Sequence, residues 1–279
     1  MLMPRIVHLS DLHFGAHDEQ LVEAVETRVD ELKPDLVVIS GDFTQRARTE
    51  QFREACEFLQ RLQNAGHEVL GVPGNHDVPL YDVLRRFLSP LARYRRFIDD
   101  SLCPFVELPG IAVLGINTAR SLTFKEGRIN PGQVAFIRET FSRAPREAFR
   151  ILVTHHPLLA LEVAGETAPA IGHREQALDA IREAGVDMLL AGHHHHASSH
   201  SANDLVTNAG GALVVQAGTA TSTRVREQEQ SFNCIDVVDA WVTITINSWS
   251  DHHFSPEDSQ RYAWEEGRWR IVPTAEPAH

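Results

Sequence analysis

Arg5-Ile6-Val7-His8-Leu9-Ser10-Asp11-Leu12-His13 decides the reading of this chain, because a strand pattern runs there straight into an aspartate and a histidine. Its apolar run is short and rich in Ile and Val, as expected of a strand buried on both faces. Alone, an Asp-x-His pair is far more often a surface turn than a ligand, about one in ten being functional. Four further clusters repeat the arrangement, however. Gly41-Asp42 follows Leu36–Ser40, and Gly74-Asn75-His76-Asp77 follows Val69–Val72. His155-His156-Pro157 follows Ile151–Thr154, and Gly192-His193-His194-His195 follows Met188–Ala191. Ligands of an α/β sheet bind at strand ends, so these clusters can converge in space. Carboxylate, imidazole and amide together suit borderline divalent metals, unlike a thiolate zinc site or an all-oxygen calcium cage.

Outward from those exits, strands are expected at Asp35–Ser40, Glu68–Val72, Ile111–Ile116, Arg150–Thr154, Met188–Ala191 and Ala212–Gln216. Helical patterns fall at Glu19–Leu32, Thr49–Ala65, Leu80–Ile98, Gly132–Phe141 and Arg174–Ala184. Within Thr49–Ala65, Phe52, Cys56, Leu59 and Gln63 share one face, leaving Glu50, Glu54 and Arg61 to water. Such alternation argues for a layered α/β fold. The last third changes character: Ser231–Val238, Ala240–Ser248, Arg261–Trp264 and Arg268–Val272 read as antiparallel strands, with a polar, loop-like Ser250–Ser259 between them. One domain over residues 1–248 is expected, with residues 249–279 as a C-terminal extension forming a β-hairpin on the same domain.

At 43% hydrophobic and 23% charged residues, the composition is that of an ordinary globular protein with a full core. No apolar run is long enough to span a membrane, and the N-terminus reads directly into a strand rather than a signal peptide. Three scattered cysteines (Cys56, Cys103, Cys234) make no disulfide framework, so the expected compartment is the cytoplasm. The net charge of −12 disfavours long polyanions such as DNA, whereas a small anion held by metals meets no such objection.

In the motifs D-x-H, G-D, G-N-H-D, H-x-P and G-H-x-H, complete and in order over roughly residues 5–218, the sequence resembles the calcineurin-like metallophosphoesterase superfamily. The Leu9–His13 and Gly74–Asp77 segments look closest to its class III cyclic-nucleotide phosphodiesterase branch. That resemblance implies a four-layer α/β/β/α sandwich with two metal ions at one edge of the sheets. Carried over by position, Asp11, His13, Asp42 and His195 would hold the first ion. Asp42, Asn75, His155 and His193 would hold the second, with Asp42 bridging. A shared carboxylate brings two cations to about 3.5–4 Å, close enough to clamp one phosphoryl group around a bridging hydroxide that attacks in line. The metals could be Mn, Fe or Zn, which this ligand set suits alike. His76 would stand by the leaving-group oxygen as a proton donor, with Asp77 orienting its ring from behind. Asp77 also fits a helix cap ahead of Val78-Pro79.

For substrate contact the candidates are Arg120 and Arg128, in a rim loop at Ala119–Pro131 that also holds Lys125, together with His194. The Pro157–His173 stretch reads as an apolar lid or wall. His17 and His173 are the loop histidines nearest motif ends, and His8 reads as a core histidine. The arginine-rich Leu80–Ile98 helix reads first as a solvated face and second as an interfacial helix for anionic lipid. The C-terminal strands offer an edge for a homodimer.

The leading function is therefore a dinuclear-metal phosphodiesterase acting on a small substrate, cyclic nucleotides first, with no nucleic acid partner. The rivals are hydrolysis of a lipid-linked diphosphate or glycerophosphodiester, a nuclease, against which the acidic balance counts, and a non-catalytic interaction module, against which the complete ligand set counts. Gly41-Asp42-Phe43-Thr44-Gln45-Arg46 and the Asp77 ending depart from the protein-phosphatase pattern.

Overall fold

Alternation within the first strand sets the layering: in β1 (Arg5–Leu9), Ile6 packs into one apolar cluster while Val7 and Leu9 pack into another. The computed structural model describes residues 3–122, 127–158, 174–192, 206–209, 211–223, 230–238 and 241–273. After β1 come α1 (Glu19–Leu32), β2 (Leu36–Ile39), α2 (Thr49–Asn64) and β3 (Val69–Gly71). A 3-10 turn at Asn75–Asp77 leads to two short helices, α3 (Val83–Leu88) and α4 (Ala92–Phe97). Next are β4 (Phe105–Leu108), β5 (Ile111–Ile116), α5 (Pro131–Arg143), β6 (Phe149–Thr154), α6 (Arg174–Glu183) and β7 (Met188–Ala191). The remaining strands are β8 (Val206–Ala209), β9 (Ala212–Gln216), β10 (Ser231–Val238), β11 (Trp241–Ser250), β12 (His253–Glu265) and β13 (Arg268–Val272).

These strands form one sheet ordered β13-β12-β11-β10-β1-β2-β3 and a second ordered β4-β5-β6-β7-β9-β8. Ile6, Leu36, Val38 and Leu70 of the first sheet meet Val113, Ile151, Val153 and Leu190 of the second in a dry layer between them. On the far side of the first sheet Val7, Leu9, Val37 and Ile39 pack on α1 and α2; on the far side of the second, Leu114 and Leu152 pack on α5 and α6. The result is a four-layer α/β/β/α sandwich. β1, β2 and β3 run parallel, as do β5, β6, β7 and β9, so the motif-bearing loops all leave at carboxyl ends of strands.

Two expectations change here. Leu80–Ile98 is two helices, because Pro90 cannot donate a backbone hydrogen bond to Arg86 and its ring would crowd that carbonyl. Ser250–Ser259 is largely strand: β12 begins at His253, and Pro256 is admitted opposite Asn247 where the register shifts. β12 and β13 continue the seven-stranded sheet, and the expected boundary at residue 248 falls inside β11. The half-exposed edge strand β4, paired with β5, carries no apolar run to announce it.

His8 is fully buried in β1, with Nε2 2.9 Å from Ser40 Oγ. Burial pushes its pKa down to about 3, against a smaller upward pull from Asp11. Between an unfolded value of about 6.5 and that folded value, the unfolded chain binds a proton the native chain refuses, so stability falls as pH falls. Unfolding in urea with chelator present should show His8 costing the wild type about 3 kcal/mol between pH 6.5 and 4. A His8→Gln chain should lack that component; parallel pH profiles for the two would refute a neutral buried His8.

Candidate metal centre

Three of the expected ligands stand on unusual backbone. Asp11, His13 and Asp42 have φ of 53°, 50° and 54°, the left-handed region that ordinary side chains rarely occupy. Two loops zipped together hold them there. The N–H groups of Asp11, His13 and Phe14 donate to the carbonyls of Gly41, Asp42 and Phe43, and Gln45 N–H returns to Phe14. From behind, Thr219 Oγ1 donates to Asp11 O (2.8 Å) and Thr221 Oγ1 to Leu12 O (2.7 Å). Ser10 Oγ donates to Asp11 Oδ2 at 2.5 Å.

Asp42 lies at the centre, fully buried. Its two oxygens face different imidazoles: Oδ2 is 3.9 Å from His13 Nε2, and Oδ1 is 3.5 Å from His155 Nε2. Oδ1 also accepts the His76 N–H at 2.8 Å, whereas Oδ2 has no hydrogen-bond partner among the described residues. His13 Nε2 is 3.5 Å from Asp11 Oδ1. Donor atoms lie within 4.8 Å of one another in two overlapping triads, His13–Asp42–His76 and Asp11–Asp42–His155, which share only Asp42.

The second side of the centre carries its own test of fit. His155 Nδ1 lies 2.8 Å from the Ser40 carbonyl, which can only accept, so this nitrogen bears the proton. In the neutral ring Nε2 then presents a lone pair to Asn75 Oδ1 only 3.0 Å away. A metal ion placed between them would be met by lone pairs from both atoms. Electrostatics agree. Burial would push the His13 pKa down, but the hydrogen bond to Asp11 and the charges of Asp42 and Asp11 raise it overall. Burial likewise works to raise the Asp42 carboxyl, yet the imidazoles of His155, His76 and His13 hold it below its ordinary value. The carboxylates draw positive charge into a dry place, which divalent cations would supply.

Gly74 and Gly192 show how tightly the strand exits meet. A Cβ on Gly74 would lie 2.1 Å from Asp42 Oδ1, and one on Gly192 would lie 1.8 Å from Ser10 Oγ and 2.8 Å from Asp11 Oδ2. The β7 exit thus abuts Asp11 just before His193. His193, His194 and His195 themselves lie outside the described residues, as do Lys125, His173 and most of the expected lid.

Asp77 is corrected. Its carboxylate accepts from the N–H groups of Phe43, Thr44 and Gly74 and from Thr44 Oγ1, at 2.9–3.2 Å, and so stitches the third loop to the second. Burial and the Asp42 charge push it up to about 6 against those donors. The His76 ring is instead held by Gln45, whose carbonyl lies 2.8 Å and whose Nε2 lies 3.0 Å from Nδ1, which leaves the ring Nε2 as the outward nitrogen. Its ring meets His13 edge-on at 4.9 Å. Arg120 is also turned from its expected role, its guanidinium bonded to Ala119 O and Gln133 Oε1. Arg128 is exposed, its N–H on Thr118 O. His17 pairs with Glu19 and takes no part in the centre. His156 meets the His155 ring edge-on at 4.9 Å and places Nδ1 2.8 Å from Thr118 Oγ1.

A family model described as calcineurin-like phosphoesterase matches residues 4–197. Among curated proteins, the DNA double-strand break repair protein Mre11 of Aeropyrum pernix is 32% identical over 90 residues, 28% of this chain and 22% of that one. The chain therefore spans about a fifth of the length of the first relatives it matches. The glycerophosphodiester phosphodiesterase GpdQ of Enterobacter lignolyticus is 26% identical over 204 residues, covering 68% of this chain and 70% of its own. In three dimensions the chain is similar to a dimetal phosphatase from Danio rerio, with a TM-score of 0.66 at 12% identity over 94% of this chain and 99% of that one.

Proposed function

The chain belongs to the calcineurin-like phosphoesterase family, and from that premise we propose that it is a dinuclear-metal phosphodiesterase acting on a small phosphodiester. The observation that carries this reading is Asp42, whose two oxygens face different imidazoles in a buried pocket. Asp11, His13 and Asp42 would hold one ion, and Asp42, Asn75 and His155 the other, with His195 and His193 completing the two sets. When bound, the cations supply an activated water and neutralise the phosphate oxygens. The chain's own part is positional. The Ser40 carbonyl fixes the tautomer of His155, Gln45 holds the His76 ring at Nδ1, and Ser10 fixes the Asp11 carboxylate. With Nδ1 tied to a carbonyl, His76 Nε2 is the atom that meets the leaving-group oxygen and hands it a proton.

A diester is favoured over DNA by the extent of the likenesses. The match to GpdQ runs over most of both chains, whereas that to Mre11 is confined to 90 residues, and the chain's net charge is −12. Cyclic nucleotides and glycerophosphodiesters are the substrate classes to compare. The Mn-loaded protein is expected to cleave bis(p-nitrophenyl) phosphate faster than p-nitrophenyl phosphate and to lose both activities on chelation. Faster cleavage of the monoester would make it a phosphatase, and silence towards both would remove the catalytic reading.

A further inference from the structure

Had the segment after Asp77 been a plain solvated helix, its apolar side would be buried. The structure shows the reverse. Leu91 and Tyr94 anchor α4 in the core, but α3 buries none of its residues. Leu84 and Leu88 are 72% and 75% exposed, Tyr81 71%, with Val83 and Phe87 beside them. This is one contiguous stretch of chain, and large apolar side chains clustered in the open mark an interaction surface.

Its charge is as unusual as its exposure. Residues 83–98 carry five arginines, of which Arg85 pairs with Asp82 just ahead of α3, in a chain of 26 basic and 38 acidic residues. Arg95 and Arg96 are exposed, and neither has an ion pair among the described residues. Arg86 fastens α3 down, donating to Ser121 O and Pro79 O. Leu88 and Arg95 also line an open cavity of about 430 Å³ together with Val78, Ala119 and Arg120. The patch therefore borders the loops that carry His76.

We propose that α3 and the arginines of α4 form a docking surface for an anionic phospholipid bilayer. Leu84, Phe87 and Leu88 enter the acyl boundary while Arg95 and Arg96 meet lipid phosphates, the arrangement of an interfacial helix. Charge decides against a second copy as occupant. A two-fold contact would set this patch against itself and bring the two arginine clusters together. A negatively charged bilayer complements both features at once. The surface needs no turnover to act, so it stands apart from the reaction proposed above.

The test is co-sedimentation of the full chain with vesicles of phosphatidylcholine alone or mixed with phosphatidylglycerol. Binding is expected only to the mixed vesicles, fading as salt is raised. The Arg95→Gln/Arg96→Gln pair should lower the partition coefficient roughly thirtyfold. Leu84→Ser/Leu88→Ser should also release the protein while leaving its Tm unchanged. Equal binding to both vesicle types, or to neither, overturns the proposal. So does a concentration-dependent dimer abolished by Leu84→Ser/Leu88→Ser, which would give the face to a second copy. A fall in Tm of several degrees in that variant would mean that the chain itself covers these leucines, and would equally overturn it.

Discussion

Asp42→Ala is expected to strip the protein of both metal ions and lower kcat/KM by about a thousandfold or more. The expectation rests on position. Asp42 is the only residue common to both donor triads, and it is fully buried between His13 and His155. Removing it leaves each remaining half-site without its shared anion, and the imidazoles that depress its pKa lose their counter-charge. Loss of the carboxylate also frees the His76 N–H, so a folding control is needed. Asp42→Asn supplies it: asparagine tolerates the left-handed backbone at φ 54° and keeps an oxygen for that N–H, but carries no charge. Both variants should keep the wild-type circular dichroism and contain well under one equivalent of metal by elemental analysis. Two equivalents retained in either variant would mean that Asp42 does not bridge.

Much of this centre can be read from the chain alone, and the reason is physical. Buried parallel strands must be short, apolar and β-branched, and the loops that follow them must turn, so Ile6–Leu9 with Asp11 and Leu36–Ile39 with Asp42 announce themselves. What the chain hides is how those side chains are held. His155 and His76 are oriented by the backbone carbonyls of Ser40 and Gln45, and a carbonyl has no residue-type signature. Asp77 shows the converse error. Its place beside His76 suggests a partnership, but the 3-10 turn at Asn75–Asp77 sends the two side chains to different neighbours. In the fold, the expectations fail where pattern and environment separate. β12 is polar and exposed along much of its length, and it is a strand because β11 offers it a hydrogen-bonding edge. α3 has the apolar content of a core helix and packs none of it inward.

His76→Ala separates binding from chemistry, and its expected result is a protein that keeps both metals and loses about a hundredfold to ten-thousandfold in kcat. The geometry leaves two roles open to the imidazole. It belongs to one donor triad with His13 and Asp42, as a ligand would. Its Nδ1 is tied to the Gln45 carbonyl and its backbone N–H to Asp42, which fixes Nε2 outward, as a proton donor requires. Leaving groups distinguish the two. p-Nitrophenolate departs without protonation, whereas an alkoxide needs a proton as the P–O bond breaks. If His76 supplies that proton, His76→Ala should lose far more activity on a glycerophosphodiester than on bis(p-nitrophenyl) phosphate, at unchanged metal content. A uniform loss on both substrates, together with one missing equivalent of metal, would instead make His76 a ligand.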